Sequence, residues 1–277
     1  IHLNNVDVYR NPSGTNNSLN NIFNPNIDYN PNTGSFMAST GNSSSSTIPG
    51  DGIVDDFVFS ATGEPMPMQA AGSGHNIRVS IGGKLYALSE LDNSYGSQQV
   101  IKKVVAYFAQ QLGISGSFGV GIDSDKSSLA STSPDGVTRI NINGGVNKLL
   151  DNYDNLKSVL VHEHQHQMDF AHKLTTDFKD HANVYLTEFR DTTFKATTSD
   201  FKSQTIGSFA NYLLNMDKND PTNIYSRSEI NTIINDFNSL NTGYKIKADP
   251  LGFNEGKLSL TIIVPGGRES DPIEYSV

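Results

Sequence analysis

The most chemically loaded stretch of the chain is His162-Glu163-His164-Gln165-His166, an HExxH pattern with two imidazoles one helical turn apart and a carboxylate between them. On a helix, positions i and i+4 lie on one face, so His162 and His166 can direct two nitrogens at a single metal ion. Glu163 projects beside them, where it can serve as general base toward a metal-activated water without being a ligand. The chemistry expected of this trio is metal-assisted hydrolysis. The chain has no cysteine, so a transition metal must be held by His and carboxylates. Zn2+ at an open, catalytic type of site is therefore expected over a closed structural one. The rival reading is a helix that carries a solvated histidine face near its end.

The surrounding sequence supplies the elements that must position these groups. Leu156, Val159, Leu160 and Val161 bury one side of a helix that leads into the motif. Upstream, Asn76 to Leu91 alternates as a hairpin turning at Gly82-Gly83, and Ser97 to Leu112 carries apolar residues at helical spacing up to Gly113. Phe118 to Ile122 and Val137 to Ile142 read as strands, with Pro134-Asp135-Gly136 turning into the second. Downstream, Asp180 to Lys195 and Ile206 to Met216 read as helical, and Ser226-Arg227-Ser228-Glu229 is a capping-box start for a helix through Leu240. Leu258 to Val264 and Ile273 to Val277 read as closing strands. The fold class is α+β, with a mixed upper sheet, a backing helix and the motif helix above a lower, mainly helical lobe. Residues 1–75 form an extended, Asn/Ser/Gly-rich region with some β-structure, and residues 76–277 form the main domain.

Composition narrows the partners. The net charge of −9 and the scatter of the 20 Lys and Arg exclude a basic nucleic-acid face. No run approaches the length of a membrane span. Ile1 to Arg10 have neither a basic start nor an apolar signal core, and the chain begins without Met. The expectation is a mature or excised part of a longer polypeptide. Asp51 to Phe59 resembles the second half of an aspartate-rich calcium loop but lacks its first ligands, so a turn leading into a strand is preferred there.

The order hairpin, backing helix, strands and motif helix resembles the upper lobe of zincin metallopeptidases. That resemblance implies that the strand before the motif helix lies at the sheet edge and holds an extended substrate by strand addition. Thr138 to Asn143 stands in the matching place. A catalytic zinc takes a third protein ligand, and the resemblance leaves three candidates. His172 has the metzincin spacing, but Asp169 replaces the glycine of that pattern. Glu188 fits the gluzincins, whose third ligand is a Glu on the next helix, and an antiparallel hairpin about Asp177 would set it opposite His166, with Asp191 free to orient a histidine. His181, in Asp180-His181-Ala182-Asn183-Val184-Tyr185, resembles bacterial metallopeptidase-like toxin domains, in which a ligand precedes a tyrosine by four residues. It shares a helical face with Tyr185 and Glu188. A motif helix ending soon after Phe170 favours His181, and one continuing to Leu174 favours Glu188.

From Val159 to Met216, and in the Asn-rich start and the Asp55-to-Phe59 run, the chain is similar to gluzincin-like C-terminal toxin domains of bacterial Rhs and other polymorphic toxins. This resemblance implies a zinc-dependent endopeptidase with Glu163 as general base, secreted or delivered into a target cell. It further implies an upstream carrier polypeptide and a cognate immunity protein. Tyr185 or His172 is a candidate oxyanion donor. The alternatives are a secreted binding module with a degenerate motif and a zinc hydrolase acting on a non-peptide substrate.

Overall fold

The computed structural model describes residues 6–7, 56–66, 74–124, 126–174, 177–217, 226–248 and 258–274. The start of the Asp51 to Phe59 run, read as a turn leading into a strand, and the Asn-rich stretch lie outside these residues. Among the described residues the architecture is α+β, built from three small sheets and a group of helices.

In the first sheet, β2 (Phe57–Ser60) runs parallel to β3 (Ile77–Ile81), which turns back into β4 (Lys84–Ala87). The hairpin turns at Gly82 and Gly83, with φ of 60° and 82°. Two consecutive positive φ values are what a tight two-residue hairpin needs and what glycine adopts without strain. Helix α1 (Tyr95–Gln111) starts at Ser94, whose side chain accepts from the Ser97 N–H. Its apolar stripe buries Val100, Ile101, Val104, Val105 and Phe108. Phe57 and Phe59 of β2 meet Phe108 with ring centroids 5.1 and 6.0 Å apart, so the first sheet and α1 share one aromatic core.

The second sheet has the order β1-β6-β7-β5, from β1 (Val6–Asp7), β5 (Ser117–Gly121), β6 (Ala130–Thr132) and β7 (Val137–Asn141). β5 is parallel to β7, whereas β6 is antiparallel to both β7 and β1. Here the structure corrects an expectation. The strand over Thr138 to Asn143 is not an edge: β7 is paired along both sides, so its backbone groups have no capacity to receive an extended substrate. The neighbouring β6, too short to stand out by alternation, takes the position next to the motif helix.

That helix is α2 (Tyr153–Ala171). Asn152 caps it by accepting from the N–H groups of Asp154 and Asn155, and Asp154 adds a negative charge in the first turn. It ends at Ala171, capped by His172, and Lys173 follows in the left-handed region at φ 56°. The next helix, α3 (Phe178–Arg190), begins at Asp177, which accepts from the Asp180 N–H. The expected single helix from Asp180 to Lys195 is broken at Asp191. That residue is extended at ψ 147° and uses its carboxylate to cap α4 (Thr192–Ala196) by accepting from the Thr193 N–H. Asp191 is therefore a helix cap and does not orient a histidine.

Helix α5 (Ser199–Asp217) and helix α6 (Arg227–Ser239) complete the helical part, and α6 starts with the Ser226–Glu229 capping box read from the sequence. The third sheet, β8 (Lys245–Ala248), β9 (Ser259–Ile263) and β10 (Ile273–Glu274), packs on α5 and α6.

Candidate metal centre

The buried face of α2 changes chemistry halfway along. Leu156, Val159 and Leu160 are at most 1% exposed, and each contributes roughly 1.5–3 kcal/mol by burial. One turn later the same face presents His162, Glu163 and His166, again at most 1% exposed. Interior polar groups cost several kcal/mol unless they are paired, so the second half of the helix is shaped for something other than stability.

α3 supplies the partners. Moving along α2 from His162 to His166, the facing residue on α3 falls from Glu188 to His181, so the two helices run antiparallel. Both contenders for the third ligand reach His162, from opposite sides of its ring. Glu188 Oε2 accepts from His162 Nδ1 at 2.9 Å, and Glu188 Oε1 accepts from Ser158 Oγ at 2.7 Å. His181 Nε2 lies 3.3 Å from His162 Nε2, and His166 Nε2 lies 3.2 Å from that same atom. Among the described residues, His162, His166 and His181 form a group able to hold a metal ion, with ligand atoms all within 4.8 Å of one another. His172 stands apart at the end of α2, where its Nδ1 donates to the Met168 carbonyl at an exposed position.

The donor set fits zinc. Nitrogens bound at ~2.0–2.1 Å to a tetrahedral zinc stand roughly 3.3–3.4 Å from one another. The two closest nitrogen pairs here already have that spacing. Burial holds all three imidazoles neutral: it pushes the His162 pKa down to about 3, and with added repulsion between the rings it takes those of His166 and His181 well below 6.5. Neutral imidazole is the form that ligates. With its Nδ1 proton directed to Glu188, His162 presents a lone pair on Nε2 to its two neighbours.

Aromatic rings fix the third histidine. His181 stacks on Tyr212 of α5 at 4.0 Å and 22°, and Tyr185 packs against His162 at 4.6 Å. Tyr185 also packs with Phe189 and Phe209, which places it in the core behind the imidazoles.

Glu163 is held from the sheet side. Thr132 Oγ1 of β6 donates to Glu163 Oε2 at 2.6 Å and meets Thr138 Oγ1 at 2.8 Å, and Gln167 Nε2 donates to Thr138 Oγ1 at 3.0 Å. A chain of side chains from two strands and the motif helix thus sets the carboxylate's direction. Thr132 and Tyr212 carry no mark in the sequence, because they meet the motif only across the fold, and Ser158, one turn before His162 on α2, is singled out only by the Glu188 it bonds on α3.

The model of the metallopeptidase toxin 2 family matches residues 57–246, and the chain belongs to that family. No curated protein and no solved structure gives a significant match. The matched region spans α2, α3 and every residue of the cluster just described. Membership in a metallopeptidase family implies a metal, and the buried histidine group is a place that could bind it.

Proposed function

We propose that the chain is a zinc-dependent endopeptidase that acts as a bacterial toxin. One observation carries this reading: three buried imidazoles bring their nitrogens within 4.8 Å of one another, two pairs at 3.2 and 3.3 Å, beside a carboxylate held in place by a sheet hydroxyl. His162, His166 and His181 would hold the ion, and Glu188 would fix the tautomer of His162. When bound, zinc supplies a Lewis acid that brings the pKa of a water toward ~7 and polarises a carbonyl. Glu163 takes the proton of the attacking water on its carboxylate and returns it to the leaving amine. Thr132 keeps that carboxylate pointed during both transfers.

The family's character as a toxin supports delivery into a target cell, and the resemblance to polymorphic toxin domains adds an upstream carrier and a dedicated immunity protein to the proposal. A polypeptide is the substrate class. No described helix is long and apolar enough to cross a membrane.

The test pairs metal content with hydrolysis. Elemental analysis should find about one zinc per chain in the purified protein and in Glu163→Gln, with casein hydrolysis in that variant lowered by ~10²-fold or more. His181→Ala should lose both zinc and activity. Full activity in zinc-loaded Glu163→Gln would remove the base assignment, and unchanged zinc in His181→Ala would remove the third ligand.

A further inference from the structure

The metal centre is closed. Glu163 is 0% exposed, His162 0%, His166 1% and His181 3%, so a polypeptide reaches these groups only if a neighbouring element gives way. The sheet that touches Glu163 offers one such element. β6 is bound on its inner side by β7, and its outer side is taken by the two-residue strand β1, with Val6 opposite Thr132 and Asp7 opposite Ser131. Thr132 is the residue whose hydroxyl touches Glu163. A strand lying on the outer edge of β6 therefore passes beside the residue that orients the general base. The far edge of the sheet, β5, is separated from β6 by β7.

We propose that Val6–Asp7 is a built-in competitor: it occupies, in cis, the edge on which an extended polypeptide must bind to reach Glu163. The proposal rests on the peptidase reading for the consequence of opening, while the competition for the edge stands by itself. An antiparallel partner satisfies the outward backbone groups of β6, and two strands cannot satisfy them at once. A ladder this short contributes few hydrogen bonds, each of small net worth, so an incoming chain with a longer match can displace it. β1 thereby acts as a removable competitor for the edge, and an extended chain can take its place when the segment is cut, pulled away or outcompeted.

Proline at both positions removes the N–H donors and breaks the ladder in the full chain. In a Glu163→Gln background, a fluorescein-labelled peptide of residues 1–10 should bind Val6→Pro/Asp7→Pro at least ten-fold more tightly than the parent, as read by anisotropy. With Glu163 intact, the same pair of prolines should raise casein cleavage at least ten-fold. Equal peptide binding by the two proteins overturns the proposal. Tighter binding with no cleavage by either supports the competition and removes the peptidase reading instead.

A second variant decides the matter if the prolines disturb folding. The chain has no cysteine, so Asp7→Cys/Ser131→Cys installs one possible disulfide between residues that face each other across the ladder. Oxidation should form it, block the labelled peptide and be reversed by reductant. Failure of the bond to form, or unchanged peptide binding once it has formed, overturns the proposal.

Discussion

Thr132 and Glu188 each act on the centre through another residue, and each leaves a separable signature. Thr132→Val keeps the shape of the side chain but removes the 2.6 Å contact to Glu163. A buried hydrogen bond to a charged group is worth about 1.5–3 kcal/mol, so kcat on casein should fall by roughly 10- to 100-fold while KM and zinc content stay near the parent values. Thr132→Ser should restore most of the rate, and a loss of zinc instead would show that the residue acts on the metal. Glu188→Gln keeps an acceptor for His162 but removes its charge, and competition against a chelator should show zinc held about ten-fold more weakly. The difference between these two residues also marks what the sequence could convey. His162, Glu163 and His166 were legible because a helix places i and i+4 on one face regardless of the rest of the fold. Thr132 lies 31 positions from Glu163, and only the sheet brings them together. For the third ligand, the metzincin spacing points to His172, the hairpin arithmetic to Glu188 and the resemblance to His181; the last two both lie on the face of α3 that meets His162 and differ in which ring nitrogen they approach.

At the scale of elements, the hairpin, α1, α2 and the capping box of α6 could be read because their signals are local: paired glycines, apolar residues at helical spacing, a Ser with a Glu three positions later. The order of strands could not. β6 has three residues and no alternation to count, and its insertion beside β7 is what moved the sheet edge away from Thr138 to Asn143. Another non-local tie joins the start of α2 to the segment before β3. His75, at φ 63°, is hydrogen-bonded to Asp154 through Nδ1 and stacks on Tyr153 at 4.8 Å, while the Tyr153 N–H donates to the His75 carbonyl at 2.8 Å. Its pKa is raised, first by the hydrogen bond to Asp154, with burial and Lys157 acting against it and Asp56 adding a smaller push upward. A raised folded-state pKa means that the stabilisation is complete below about 6.5, the unfolded value, and is lost as pH rises through the folded value. Urea denaturation between pH 6 and pH 8.5 should therefore show stability falling by about 1 kcal/mol or less, as expected for a histidine that is 38% exposed. In His75→Asn, which tolerates the left-handed backbone, that part of the slope should disappear. A slope unchanged in the variant would assign the pH dependence to other groups.

Across the whole molecule, the proposed ion would be a tie between helices as well as a reagent. His162 and His166 come from α2, His181 comes from α3 and is stacked on Tyr212 of α5, and Thr132 links the centre to the second sheet. Without an ion, α2 and α3 would lose a tie that spans them at three buried imidazoles. A ligand that binds only the folded state stabilises it by RT ln(1 + [L]/Kd), about 2.7 kcal/mol when free metal is a hundred times Kd. For a chain of this size, where 1 kcal/mol moves Tm by roughly 2–4 °C, removal of zinc by a chelator should lower Tm by about 5–10 °C, and added zinc should restore it. Glu163→Gln should show the same shift, because Glu163 is proposed as a base and not as a ligand, whereas His181→Ala should show almost none. If Glu163→Gln lost the zinc-dependent shift while His181→Ala kept it, the carboxylate would be holding the ion and the three-histidine centre would have to be redrawn.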